Sequence, residues 1–200
     1  MTNQNKLNVA VIGGGHLGKI HTRLLKTVES VNLVAVAEPS PLAQQAVIDQ
    51  FDVEVVSDYR KLYDRIDAAI IATPTRFHYQ IADDLLGQGI HTLIEKPLTD
   101  CVSDAQALVE KAADTGCVVS VGHVERFNPA IRTALKLVGK PKFVQAARMS
   151  GFTFRSTDIG VVHDLMIHDI DLVNSMFAGE AEGVQPTPPR LEKGDEARQI

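Results

Sequence analysis

The segment LNVAVIGGGHLG, Leu7 to Gly18, decides the fold. Its first half, 7–12, is a short apolar run rich in β-branched residues, which predicts a buried strand. Its second half is G-x-G-x-x-G, with Gly13, Gly15 and Gly18 in the glycine positions and His16 and Leu17 between them. At a strand-to-helix junction each glycine has a task. Gly13 allows the tight turn, Gly15 lets a pyrophosphate approach the backbone, and Gly18 lets the helix pack closely on the strand. The helix N-terminus then offers free N–H groups and a positive dipole end to phosphate. Glu38 ends the next strand, 20 residues beyond Gly18. A carboxylate there accepts hydrogen bonds from both adenosine ribose hydroxyls and repels a 2′-phosphate. No Arg or Lys occurs in 39–50, so NAD is predicted as the cofactor and NADP is disfavoured.

Outward from this loop, two periods alternate. Strands are predicted at 7–12, 31–37, near 53–56, and at 67–73, 90–95 and 117–122. Between them come helices at 16–28, where Leu17, Ile20, Leu24 and Val28 keep helical spacing, and at 41–51 behind Ser40 as N-cap and Pro41 at the first helical position. Further helices are expected after Ser57 or Asp58, near 76–88, and at 103–116 with a serine cap and a terminal glycine. Continuous apolar strands alternating with helices imply an α/β fold with a parallel sheet covered on both faces, a doubly wound Rossmann domain over 1–122. The pattern then changes. A helix at 127–139, one strand at 141–149 and a helix at 160–177 read as the start of an incomplete C-terminal α+β domain, 123–178. The polar, proline-containing remainder, 179–200, reads as a disordered tail.

The totals fit this picture. The 200 residues are 44% apolar and 22% charged, ordinary for a soluble globular chain. A formal charge of −5 with scattered Lys and Arg gives no reason to expect nucleic acid or an anionic membrane as partner. The two cysteines, Cys101 and Cys117, lack zinc-type spacing and read as reduced thiols. No signal-peptide h-region and no spanning apolar run is present, so a cytoplasmic location is expected.

Three motifs carry chemistry. Ligands of open parallel sheets sit at the carboxyl ends of the strands. Strand five ends in Glu95-Lys96-Pro97, which puts Lys96 on that edge, held extended by Pro97. Strand four ends in Ala72-Thr73-Pro74-Thr75, placing Thr73 and Pro74 at the cofactor edge. His78 follows, as a contact to substrate or cofactor or as a surface histidine. The third motif is DLMIHDID, 164–171. On a helix, Asp164, His168, Asp171 and Ser175 fall on one polar stripe. The stripe is either a solvated face or an acid–base pair in which Asp164, at i, i+4, orients the His168 imidazole. His163 and His168 point about 140° apart on a helix, so no metal site is predicted. Asp169, among apolar neighbours, is a buried hydrogen-bonded group or a substrate contact. Arg126 and Asn128 are candidates to hold substrate, or cap the helix ahead of Pro129.

Taken together, GGGHLG (13–18), ATPTRFH (72–78), EKP (95–97), VGHVERFNP (121–129) and DLMIHDID (164–171) resemble the Gfo/Idh/MocA oxidoreductase family in order and spacing. The resemblance implies a Rossmann domain followed by an α/β domain whose open sheet often mediates homo-oligomers. It implies that Lys96 binds the reacting hydroxyl, His168 acts as acid–base with Asp164 as partner, and Glu95 lies near the nicotinamide ribose. VGHVERFNP is similar to members that oxidise the 3-hydroxyl of nucleotide-linked N-acetylated sugars. The expected activity is hydride transfer between NAD and a secondary hydroxyl of a sugar or nucleotide-sugar. Family members are substantially longer, so a truncated product, a fragment or a minimal homologue is expected, and the rival reading is an NAD-binding module without catalysis. A Rossmann-type transcriptional regulator is disfavoured by the acidic charge and the absence of a basic helix–turn–helix.

Overall fold

The computed structural model describes residues 6–139, 141–149 and 160–177. Among the described residues six parallel strands form one sheet in the order β3-β2-β1-β4-β5-β6. They are β1 (Leu7–Ile12), β2 (Val31–Ala37), β3 (Glu54–Val56), β4 (Ala68–Ile71), β5 (His91–Ile94) and β6 (Val119–Val121). Helices α1 (His16–Leu25), α2 (Pro41–Ile48), α3 (His78–Gly87) and α4 (Val102–Thr115) make the crossovers, with a 3-10 segment at Tyr59–Arg65 between β3 and β4. Strand order reverses between β1 and β4, creating the crevice where doubly wound sheets bind ligands.

The continuous apolar strands are buried on both faces, as parallel sheets require. Ala10, Ile12, Ile71 and Ile94 pack with Leu62, Leu85, Leu86 and Leu108 on one face. Val11 and Val36 pack with Val47 and Phe51 on the other. Each fully buried aliphatic contributes about 1.5–3 kcal/mol relative to exposure. Gly116 ends α4 in the left-handed conformation, φ +67°, as the terminal glycine predicted.

Several local expectations are corrected. Helix α4 starts one residue early, with Cys101 rather than Ser103 at the N-cap and no side-chain cap bond. Ser40 holds the N-cap position of α2 but also makes no cap bond. Helix α1 ends at Leu25, short of Val28, and the periodic stripe Leu17, Ile20, Leu24 and Val28 is 36–54% exposed. The buried positions are Gly18 and Thr22, and at Gly18 the helix lies so close to the glycine loop that a Cβ would overlap the Gly13 carbonyl. Residues 141–149 form no strand: they pair with no described strand, and a lone strand has no ladder hydrogen bonds to hold it.

After β6, a 3-10 turn (Val124–Phe127) leads into α5 (Pro129–Val138). The segment Val162–Met166 is wound as a π-helix and continues as α6 (Ile167–Met176). Helix α6 touches the 3-10 turn, where Arg126 meets Asp171, and Asp171 and Leu172 are its two buried residues. The predicted tail lies outside the described residues. Among the described residues no helix is long and apolar enough to cross a membrane.

Candidate functional site

The glycine loop is closed from below and open above. Gly13 has φ +106°, and a Cβ there would stand 2.6 Å from the Ala72 carbonyl oxygen. A Cβ on Gly18 would stand 1.8 Å from the Gly13 carbonyl oxygen. These two glycines fix the turn against β4 and against itself. Gly15 is exposed, and a Cβ there would meet nothing within 4 Å. The first turn of α1, with Gly15 in the N-cap position, has no side-chain cap, and helix starts of this kind suit anions. His16 and Leu17 are exposed beside it.

On the β2 side, Glu38 accepts hydrogen bonds from the Gly14 and Ser40 N–H groups, each at 2.8 Å. A carboxylate has about four lone-pair sites, so two remain for hydroxyl donors. Beside it lies a crevice of about 400 Å³, lined by Ile12, Ala37, Pro39, Ser57, Tyr59 and Thr73 among others. Burial and a hydrogen bond to Asp84 raise the Tyr59 pKa and keep the phenol neutral. On the β4 side, the Thr73 hydroxyl is buried without a partner, an arrangement a bound ligand would satisfy. Open glycine, uncapped helix start, half-used carboxylate and orphaned hydroxyl line one edge. Their chemistry suits a dinucleotide, which Gly13, Gly15, Gly18, Glu38 and Thr73 could hold, with Pro74 exposed beside Thr73.

At the end of β5, Glu95 is 8% exposed and pairs with His21 of α1, Nε2 to Oε1 2.7 Å. Lys96 follows a short way along the same edge, and its bond to Pro97 is cis. The Lys96 Nζ donates to the Asp164 carboxylate at 2.8 Å and to the Asp164 carbonyl at 2.9 Å. This corrects the expected pairing of Asp164 with His168. The ammonium takes the carboxylate that helical spacing offered to the imidazole. His168 is half-buried beside Lys96, with its Nδ1 buried and unpartnered. Its pKa is lowered, first by burial, then by the charges of Lys96 and Arg148.

Four predicted substrate contacts are otherwise engaged. His78 is 1% exposed. Its ring nitrogens lie 2.9 Å from the Pro97 and Thr73 carbonyls, so it ties the two loops together behind the cleft rather than facing it. Arg126 forks onto Asp171, with Nε to Oδ2 at 2.7 Å, which raises the Arg126 pKa. Asn128 caps α5, accepting from the Ala130 N–H. Asp169 accepts from Arg148 at 3.0 Å. Sequence reasoning missed His21, His123, Arg148 and the burial of Asp171. His123 has a buried, unpartnered Nδ1 at 4.0 Å from Asp171. Helical spacing gives no sign of any of these pairings, because each spans separate elements.

Comparison with known proteins follows the same outline. Residues 7–123 match the family model GFO_IDH_MocA, described as an oxidoreductase family with an NAD-binding Rossmann fold. The chain is 33% identical over 180 residues to the UDP-N-acetylglucosamine 3-dehydrogenase of Acidithiobacillus ferrooxidans, covering 90% of this chain and 57% of that protein. It is 30% identical over 194 residues to the scyllo-inositol 2-dehydrogenase (NAD(+)) of Bacillus subtilis, covering 90% of this chain and 57% of the relative. The chain thus spans little more than half the length of these curated relatives. The structure of the Acidithiobacillus enzyme superposes with a TM-score of 0.79 at 33% identity, over 86% of this chain and 56% of that one. GenD2 from gentamicin A biosynthesis, solved with NAD, superposes at 0.75 with 24% identity over 86% of this chain and 54% of that one, a likeness of fold alone.

Proposed function

The chain belongs to the Gfo/Idh/MocA oxidoreductase family, with its NAD-binding Rossmann fold, and on that premise we propose that it handles cofactor and proton in an NAD-dependent dehydrogenation. The substrate is a secondary hydroxyl of a sugar or nucleotide-sugar, with UDP-N-acetylglucosamine 3-dehydrogenation as the specific reaction. Residues 1–122 form the cofactor domain and 123–178 begin the substrate domain. The observation that carries the reading is the meeting of Lys96 with the DLMIHDID segment on the edge that bears the glycine loop.

Bound NAD would supply the hydride acceptor. The chain's own residues do the rest. An ammonium has three donors, and Asp164 occupies two of those on Lys96. The third is left for a substrate oxygen, where the positive charge stabilises the alkoxide as it develops. The lowered pKa of His168 keeps its imidazole neutral near pH 7, with a nitrogen free to accept the hydroxyl proton. Gly13, Gly15 and Gly18, with the start of α1, hold the pyrophosphate. Glu38 takes the adenosine ribose hydroxyls, a choice that favours NAD over NADP, and Glu95 faces the other half of the dinucleotide. The substrate name rests on the 33% identical relative and on VGHVERFNP.

The test has two stages. NAD affinity is measured first by fluorescence, then NADH formation against UDP-sugars, inositols and simple sugars. Lys96→Met and His168→Ala should bind NAD as the parent does and lose about 10²-fold or more in turnover. Normal turnover in both variants refutes the assignment. Cofactor binding with no turnover on any substrate selects instead the reading of a cofactor-binding module.

A further inference from the structure

We propose that His21 is a positioning residue for the nicotinamide half of the cofactor site, acting through Glu95. The inference rests on the dinucleotide reading above. In a sheet of this order the dinucleotide straddles the point where strand order reverses. The β2 side, with Glu38 and the crevice beside Tyr59, takes the adenosine half. The β4–β5 side then takes the other half, and Glu95 stands at the end of β5.

Three contacts fix this carboxylate. Its own N–H donates to the Ile71 carbonyl of β4 at 2.9 Å, anchoring the main chain. Gly122 lies against it so closely that a Cβ there would stand 3.0 Å from Oε2. His21 holds Oε1 at 2.7 Å. The imidazole is only 16% exposed and the carboxylate side chain 10%, so little water competes for the pair. His21 lies one turn beyond Gly18 on the helix that opens at the glycine loop. The pair therefore ties the phosphate-facing helix to the strand end that carries Lys96, and sets the two ends of the site in register.

The test is ligand binding by the whole chain, with NAD⁺ and AMP as probes. AMP reports the adenosine half and the fold, and NAD⁺ reports both halves. His21→Ala is expected to weaken NAD⁺ about tenfold, the loss of roughly one charge-assisted hydrogen bond, and to change AMP affinity by less than about twofold. His21→Gln, which keeps an N–H donor, is expected to recover most of the NAD⁺ affinity. Glu95→Gln should weaken NAD⁺ likewise, and His21→Ala added to it should cost no more, since residues in one interaction are non-additive. Unchanged NAD⁺ binding in His21→Ala overturns the proposal, as does equal loss of NAD⁺ and AMP in both His21 variants, or an additive double variant. A parent chain that binds neither probe refutes the dinucleotide reading itself, and this inference with it.

Discussion

Gly15→Ala separates the fold of the glycine loop from its task. Gly15 has φ −70° and ψ −163°, extended backbone that alanine adopts without strain. Its added methyl would meet no protein atom within 4 Å. The fold should therefore register only the exchange of glycine for alanine at an N-cap, within about 1 kcal/mol. For a chain of this size that is a Tm change of about 2–4 °C. A pyrophosphate over the helix start would meet the methyl directly. Overpacking of one carbon costs about 1–3 kcal/mol, or roughly 5- to 150-fold in Kd. Gly18→Ala is the contrasting control. Its methyl would stand 1.8 Å from the Gly13 carbonyl oxygen, so the loop must shift. The gain of about 1 kcal/mol from helix propensity cannot offset that displacement, and Tm should fall together with NAD affinity. Paired thermal melts and NAD titrations make the comparison. A Gly15→Ala chain that melts as the parent does and binds NAD equally well refutes the placement of the phosphates over this loop.

His168 has a lowered pKa in the folded chain, so between that value and about 6.5 the unfolded chain binds more protons. Its contribution to stability is full above about 6.5 and is lost as pH falls through the folded value. Denaturant titrations should show this acid-side slope shrinking in His168→Gln, and the acid limb of kcat/KM should inflect below 6.5. Arg126→Ala strands the Asp171 carboxylate, 7% exposed, and should destabilise by about 1–3 kcal/mol. Arg126→Met with Asp171→Leu should recover much of that by chemical denaturation, because replacing both partners is far milder than removing one. Leu85→Ala, at a fully buried position between sheet and helices, should cost about 2–5 kcal/mol, read from the urea midpoint.

Periodicity found all six strands because parallel strands buried on two faces are continuous apolar runs, and LNVAVI, VNLVAVA and DAAIIAT contain little else. The glycine loop was legible because its constraint is local: φ at Gly13 and contact at Gly18 are set within one turn of chain. The spacing of Leu17, Ile20, Leu24 and Val28 reports an amphipathic helix without saying which stripe faces the sheet. Gly18 and Thr22, with less surface to bury, won that place by allowing closer approach. Helical spacing alone pairs Asp164 with His168, whereas the carboxylate meets the Lys96 ammonium, 68 residues away in sequence, which no local pattern announces. His78 carried a functional reading from its neighbours in ATPTRFH, but the carbonyls that claim its ring come from two different loops.

Among the described residues the two outermost strands, Glu54–Val56 and Val119–Val121, are three residues each. A foreign strand seeking to extend the sheet would find only a few rungs at either margin, and on one of them Glu54 is clasped by Arg65. Such abbreviated borders are a known defence against amyloid-like stacking and domain exchange. The chain can thus carry a dense apolar interior through synthesis and concentration without offering that interior's own geometry as a template to its neighbours.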